Sequence, residues 1–280
     1  MHKLRFLFKV SRPRFWFYVL GPFIVGLVAG AGELQELLHP AYLLIGLYFT
    51  FPANLLIYGV NDIFDYETDR INAKKDDYET LVEPDSRGAL WLAIAITNLP
   101  LAVIFFFANF TASTAVIGFL FFSVFYSAPP IRAKTKPFLD SAFNILYAMP
   151  GLFAYSLMSS EFPPVAIVIA ALCWTAAMHA YSAIPDIEVD KQAGISTIAT
   201  VCGEYGTIPV CLVLYAASAV LSAPYLGFAS LTLGSAYVML MLASFVSARN
   251  GRLFNLYKAF PLINVAAGFV LFWTIALGKF

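Results

Sequence analysis

Apolar residues in this chain come in long blocks separated by short polar stretches. A spanning helix needs roughly 20 consecutive apolar residues. Nine blocks approach that length, at approximately 14–31, 41–60, 88–108, 111–126, 139–158, 163–184, 206–226, 229–248 and 257–278, and the fourth is short. The pattern predicts an all-α membrane protein, a bundle of about nine transmembrane helices, with residues 1–280 forming one integral-membrane domain. Composition agrees. Of 280 residues, 60% are hydrophobic and 12% charged, whereas an average soluble domain carries about a quarter charged residues.

The formal net charge of zero hides a strong sidedness. Threading nine crossings puts Lys3, Arg5, Lys9, Arg12 and Arg14 on one side, with Arg70, Lys74, Lys75, Arg87, Arg132, Lys134, Lys136, Lys191, Arg249, Arg252 and Lys258. Only Lys279 falls opposite, so 16 of the 17 basic residues share a face. Basic loops stay in the cytoplasm, which puts the N-terminus and the loops after even-numbered spans there, and the C-terminus outside. The other face carries little charge beyond Glu33, Glu36 and Glu161.

The basic start and the small residues of "VAGAG" could suggest a secretory signal. Cleavage there would leave an even number of helices starting outside and send the acidic loops through the bilayer, so the segment is taken as the first span. Cys173, Cys202 and Cys211 are odd in number and show no disulfide or metal spacing. "NFT" at Asn109 matches a glycosylation sequon in a very short loop and is read as chance.

The chemistry gathers behind the second block. "GVNDIFDYETDR", residues 59–70, places Asn61, Asp62, Asp65, Glu67 and Asp69 at the membrane rim. If the second helix continues past Gly59, then Asp62, Asp65 and Asp69 fall within an arc of about 60°, Glu67 points elsewhere, and Asn61 adds a neutral oxygen. A solvated helix end is the plain alternative. It strains here because like charges at helical spacing destabilise by a few tenths of a kcal/mol per pair, so a bound cation is expected.

A second motif mirrors the first. "YSAIPDIEVDKQAG", residues 181–194, offers Asp186 and Asp190 on one face, with Glu188 opposite. Tyr-Ser-Ala-x-Pro occurs at both 126–130 and 181–185, a faint internal repetition. Mg²⁺ takes one or two protein carboxylates plus phosphate oxygens and waters, and basic side chains balance the remaining phosphate charge. The expected ligand is therefore a Mg²⁺-bound diphosphate. Arg70, Lys74, Arg132, Lys134 and Lys191 are candidate counter-charges, each with the alternative of a simple positive-inside anchor.

N-D-x-x-D-x-x-x-D at Asn61 to Asp69, with D-x-x-x-D at Asp186 to Asp190 in a chain of about nine spans, resembles the UbiA superfamily of intramembrane prenyltransferases. The resemblance covers almost the whole chain. "SRPRFWFYVLGPFIVG" (11–26) and "YSAPPIRAKTKPFLDS" (126–141) look most like the carotenoid branch, the lycopene elongases that add dimethylallyl units. It implies a bundle open laterally to lipid and a prenyl diphosphate held through Mg²⁺ bridging the two acidic motifs. Asn61, Asp62 and Asp65 would be metal ligands from the first motif, and Asp186 and Asp190 from the second. Asp69 would bind metal or orient Arg70. Catalysis would then be leaving-group stabilisation in a water-poor site.

An allylic cation formed there needs shelter and electron-rich walls. The 27 Phe, 15 Tyr and 4 Trp supply rings, though most aromatic residues of membrane helices pack or face lipid. Tyr58 and Asn54 lie on the stripe leading from Asp62 into the bilayer, and Tyr126 and Tyr181 adjoin the repeated motif. Polar residues inside the spans are Asn98, Asn144, Thr175, His179 and Asn264. His179, about two turns deeper than Asp186 on a similar face, is a candidate proton acceptor, with a structural hydrogen bond as its alternative.

The spans hold no Arg or Lys ready for an aromatic acid's carboxylate, which favours a neutral isoprenoid acceptor such as lycopene. Quinone-precursor and glycerol-phosphate lipid prenylation remain the enzyme alternatives. A transporter would place its ionisable residues near the midplane, between interrupted helices. The expected partners are a prenyl diphosphate donor, a lipophilic acceptor and the lipid bilayer, with no nucleic acid.

Overall fold

The computed structural model describes residues 2–70 and 80–280, so Lys74 lies outside the described residues. These residues are helical and contain no strand. In chain order the α-helices are α1 (His2–Val10), α2 (Phe17–Gly30), α3 (Pro40–Tyr48), α4 (Phe51–Phe64), α5 (Tyr66–Asp69), α6 (Arg87–Phe107) and α7 (Phe110–Phe125). They continue with α8 (Leu139–Ala142), α9 (Met149–Ser159), α10 (Val165–Ala183), α11 (Ile187–Gln192), α12 (Ile198–Leu226), α13 (Phe228–Arg249) and α14 (Leu253–Lys279).

Among the described residues, five helical segments are long and apolar enough to cross a bilayer, or six if a pair bent by 60° around Trp16 counts as one. This is fewer than the nine expected, although the chain is plainly an integral membrane protein. Two expected spans differ for visible reasons. The one at 111–126 is a helix of 16 residues, Phe110–Phe125. The one at 139–158 is interrupted, passing from α8 through a 3-10 stretch, Phe143–Tyr147, into α9. Pro150, at the start of α9, has no N–H to extend the preceding turn.

The chain divides into two compact units, Met1–Arg132 with Met149–Phe162, and Ala133–Ala148 with Pro163–Phe280. In the first, α2 packs on α9, α9 on α7, and α4 on α1, α6 and α7. The α2–α9 crossing is backbone to backbone, because a methyl group at Gly26 would overlap the carbonyl of Gly151. Small residues permit such close approach where lipid gives helices no hydrophobic reason to associate. The interior centres on Phe49, whose ring lies 5.0, 5.8 and 5.9 Å from those of Phe23, Phe119 and Phe153.

Phe49 sits where α3 gives way to α4. Pro52 cannot donate there, and the Asn54 amide bonds back across the break, donating to Thr50 O at 2.6 Å and Phe49 O at 3.3 Å. In the second unit α10 packs on α12, α12 on α13 and α13 on α14. Thr197 and Thr200 form a reciprocal capping box that starts α12. Gly203, at φ 67 and ψ 175, kinks that helix in a conformation that only glycine adopts at low cost.

Candidate active site

The first acidic motif does not ride on the one continuous helix that its spacing predicts. Helix α4 stops at Phe64, Asp65 takes φ −108 and ψ 4, and a new turn begins at Tyr66. Aspartate competes poorly in helix interiors and well at their starts. The backbone carbonyl of Asp65 receives the N–H groups of Thr68 at 2.9 Å and Asp69 at 2.7 Å. Its carboxylate takes no capping hydrogen bond. Even so, Asp62 and Asp69 are buried and Glu67 is exposed, the facing that the spacing implied. Tyr66 hydrogen-bonds Glu83, which holds its phenol above the ordinary range and ties α5 to the chain ahead of α6.

Two arginines close on this motif. Arg12 Nη2 donates to Asp62 Oδ1 at 2.8 Å, and its guanidinium lies 4.7 Å over the Tyr58 ring. The Asp62 side chain is 2% exposed, so the pair is well shielded from water. Arg132 Nη2 lies 4.0 Å from Asp65 Oδ1 and reaches Phe64 O at 3.5 Å. Both arginines have left-handed backbones, with φ 49 and φ 46. Such conformations cost side-chain-bearing residues about 1–2 kcal/mol and persist where surrounding contacts over-determine them. Ser127, in the Tyr-Ser-Ala-x-Pro stretch after α7, donates to Asn61 Oδ1 at 2.8 Å.

The second motif uses the same backbone device. Helix α10 runs into a 3-10 turn, Ile184–Asp186, and Asp186 takes φ −96 and ψ 0 before α11 begins. Asp186 and Asp190 are partly exposed. The exposed Lys191 pairs with Glu188 at 3.3 Å, one turn away. Ser182, the repeat's counterpart of Ser127, donates to Met178 O on its own helix at 2.8 Å.

Other sequence candidates divide by what they touch. Tyr58 underlies Arg12, and the Asn54 amide is committed to the α3–α4 break. Tyr181 is 1% exposed, bonds Ser244 at 2.9 Å and meets the Phe260 ring edge at 4.8 Å, as a core residue does. Tyr126 is half-buried at the end of α7, and Lys134 is buried in the turn Ala133–Thr135. Arg70 pairs with exposed Glu67 at 3.0 Å, a different partner from the expected Asp69. Asn98 and Asn264 accept hydrogen bonds from Tyr48 at 2.7 Å and Tyr237 at 2.8 Å.

Sequence reasoning missed Arg12 and Asp140. Arg12 stood among many basic residues, although the following Pro13 already excludes a right-handed helical backbone from it. Asp140 is fully buried at the start of an expected span, where an acid is functional by default. Its Oδ2 accepts the Ile198 N–H at 3.0 Å and lies 3.6 Å from His179 Nε2.

Every donor in the two acidic motifs is oxygen, from the carboxylates of Asp62, Asp65, Asp69, Asp186 and Asp190 and the amide of Asn61. Hard oxygen sets suit Mg²⁺ over the softer transition metals. The Asn61 carbonyl, an acceptor with two lone pairs, takes the Ser127 hydroxyl. These residues fit the metal that the sequence motifs imply.

Residues 19–276 match the model of the UbiA prenyltransferase family. The chain belongs to the UbiA family. It is a prenyltransferase, an enzyme that moves a prenyl group to an acceptor. Two relatives are named lycopene elongase/hydratase. The one from Haloferax volcanii is 39% identical over 272 residues, covering 96% of this chain and 88% of the relative. That from Haloarcula japonica is 44% identical over 214 residues, covering 76% and 72%. Among solved structures, a UbiA homologue from Archaeoglobus fulgidus bound to GPP and Mg²⁺ superposes with a TM-score of 0.70. That match covers 96% of this chain and 99% of the other at 21% identity, a likeness of fold.

Proposed function

We propose that this UbiA enzyme transfers a dimethylallyl group from its diphosphate to lycopene in a Mg²⁺-dependent reaction at the cytoplasmic face, and that water captures the product cation. The observation that carries this reading is the likeness to the Haloferax volcanii elongase/hydratase along 96% of the chain. The acidic motifs supply the chemistry that such a transfer needs, and 1–280 is read as one catalytic domain.

Asn61, Asp62 and Asp65 of the first motif, and Asp186 and Asp190 of the second, would hold the metal, with Asp69 supporting the first. Bound Mg²⁺ supplies charge neutralisation to a departing diphosphate, an effect worth most where water is scarce. No three His, Cys, Asp or Glu side chains converge on a metal-sized site among the described residues.

The chain's own groups do the rest. Arg12 holds the Asp62 carboxylate in place through its 2.8 Å contact, and Ser127 does the same for Asn61. Arg132, beside Asp65, adds positive charge for diphosphate oxygens, with Lys134, Lys191, Arg70 and Lys74 as further counter-charges. Tyr58 and other rings favour a nearby cation by about 0.5–2 kcal/mol each, with Tyr126, Tyr181 and Asn54 shaping the wall. As the donor's C1–O bond breaks, its electron pair leaves on diphosphate. The acceptor's terminal double bond supplies the pair for the new C–C bond, and positive charge passes to a tertiary carbon.

The test is product analysis of membranes containing the protein, incubated with Mg²⁺, dimethylallyl diphosphate and lycopene, alongside an aromatic acid and a glycerol-phosphate lipid. Elongated carotenoid is the expected product. Prenylation of only the aromatic or lipid acceptor would overturn the carotenoid assignment.

A further inference from the structure

A polar pair inside the second unit lies outside both acidic motifs. His179 stands on α10, seven residues before Asp186, which ends the 3-10 turn that follows that helix. Its side chain is 19% exposed, and Nε2 lies 3.6 Å from Asp140 Oδ2. Asp140 itself has no exposure. It is fixed by the Ile198 N–H at 3.0 Å and by its own carbonyl, which receives the Asn144 amide at 2.7 Å. The start of α12 thus presents its positive dipole end to the carboxylate.

Asp140 Oδ1 is buried and has no hydrogen-bond partner among the described residues. A buried acceptor left without a donor costs about 1–3 kcal/mol. Such an atom beside a partly exposed imidazole, within an apolar span, is where a water molecule finds polar partners.

We infer that His179 and Asp140 hold the water that adds to the product cation, with His179 as its proton acceptor and Asp140 as the positioning residue. This rests on the proposed elongation of lycopene. A water lone pair forms the C–O bond to the tertiary carbon. One O–H bond breaks, its electrons stay on oxygen, and the proton passes to the His179 imidazole. The positive charge then rests on the imidazolium, against the Asp140 carboxylate. Hydration therefore depends on a pair of residues outside both metal-binding motifs.

The experiment uses the full chain in membranes with Mg²⁺, dimethylallyl diphosphate, lycopene and ¹⁸O-labelled water, comparing wild type with His179→Gln, Asp140→Asn and Asp140→Ala. Wild type should give an elongated tertiary alcohol carrying the label. His179→Gln and Asp140→Asn should slow elongation by a few fold and cut the alcohol-to-alkene ratio by at least about tenfold, at the low end for lost general-base help. Asp140→Asn keeps an oxygen for the Ile198 N–H, so it separates the charge from the helix cap, whereas Asp140→Ala should also lower the unfolding temperature. An unchanged ratio in both conservative variants, or elongation and hydration falling in parallel, would overturn the inference. So would a wild-type product without label, which leaves the elongation reading standing. Wild type that leaves lycopene unprenylated overturns both.

Discussion

At Asp65 the chain leaves a helix with φ −108 and ψ 4, and at Asp186 with φ −96 and ψ 0. In both places an Asp-x-x-x-Asp begins on a near-identical break and a fresh helical turn carries its second acid, Asp69 or Asp190. The surroundings differ. Asp62 is sealed under Arg12, Asp65 is approached by Arg132, and Ser127 reaches across to Asn61. The second motif is partly exposed, its neighbouring ion pair is an exposed one within a single turn, and Ser182 bonds its own helix. One backbone solution thus serves two electrostatic settings. The first motif is organised by its own unit's arginines, while the acids of the second are partly exposed.

The comparison predicts symmetric losses where both motifs act alike and asymmetric ones where their surroundings act. The largest effect is symmetric. Asp65→Ala and Asp190→Ala should each reduce turnover by on the order of 10³-fold, the scale of losing a transition-state charge stabiliser, while the purified protein keeps its helical circular dichroism. Near-normal activity in either variant would remove that motif from the chemistry.

Next comes a change confined to the first motif. Arg12→Ala leaves Asp62 as a buried charge without its guanidinium, which costs about 3 kcal/mol and should show in thermal unfolding in detergent. An Arg12→Ala, Asp62→Asn double variant should recover part of the loss, and additive losses would mean that the pair is not coupled. Smaller again, Ser127→Ala removes a hydrogen bond between helices and should cost about 1 kcal/mol. Its repeat counterpart Ser182→Ala should stay within roughly 0.5 kcal/mol. Equal effects in the two serines would erase the distinction drawn between the motifs. Smallest is Lys191→Ala, whose exposed pair with Glu188 contributes about 0.5 kcal/mol or less, read from the same melting curves.

The contrast also marks what the sequence could reveal. Long apolar blocks showed α10, α12, α13 and α14 because uninterrupted hydrophobicity and helical hydrogen bonding agree there. The acid spacing disclosed both motifs, and the exposure of Glu67 beside buried Asp62 and Asp69 follows it. The breaks at Thr50, at Asp65 and through Phe143–Tyr147 were not legible. Each depends on groups far along the chain or out of helical register, such as the Phe49 ring cluster or the Asn54 amide. Arg12 was one of 17 basic residues, and only folding singles it out by setting it over Tyr58 and against Asp62. Asp140 was hidden because its partners, Ile198 and His179, lie 58 and 39 residues away in sequence.

The central claim is that both aspartate motifs grip the donor's diphosphate through divalent metal. Calorimetric titration of a non-ionising dimethylallyl diphosphate analogue, with Mg²⁺ and with chelator, tests it on wild type, Asp65→Ala and Asp190→Ala. The account predicts Mg²⁺-dependent binding by wild type that weakens at least about tenfold, or about 1.4 kcal/mol, in each variant. Wild-type affinity in either variant, or binding indifferent to chelator, would contradict it.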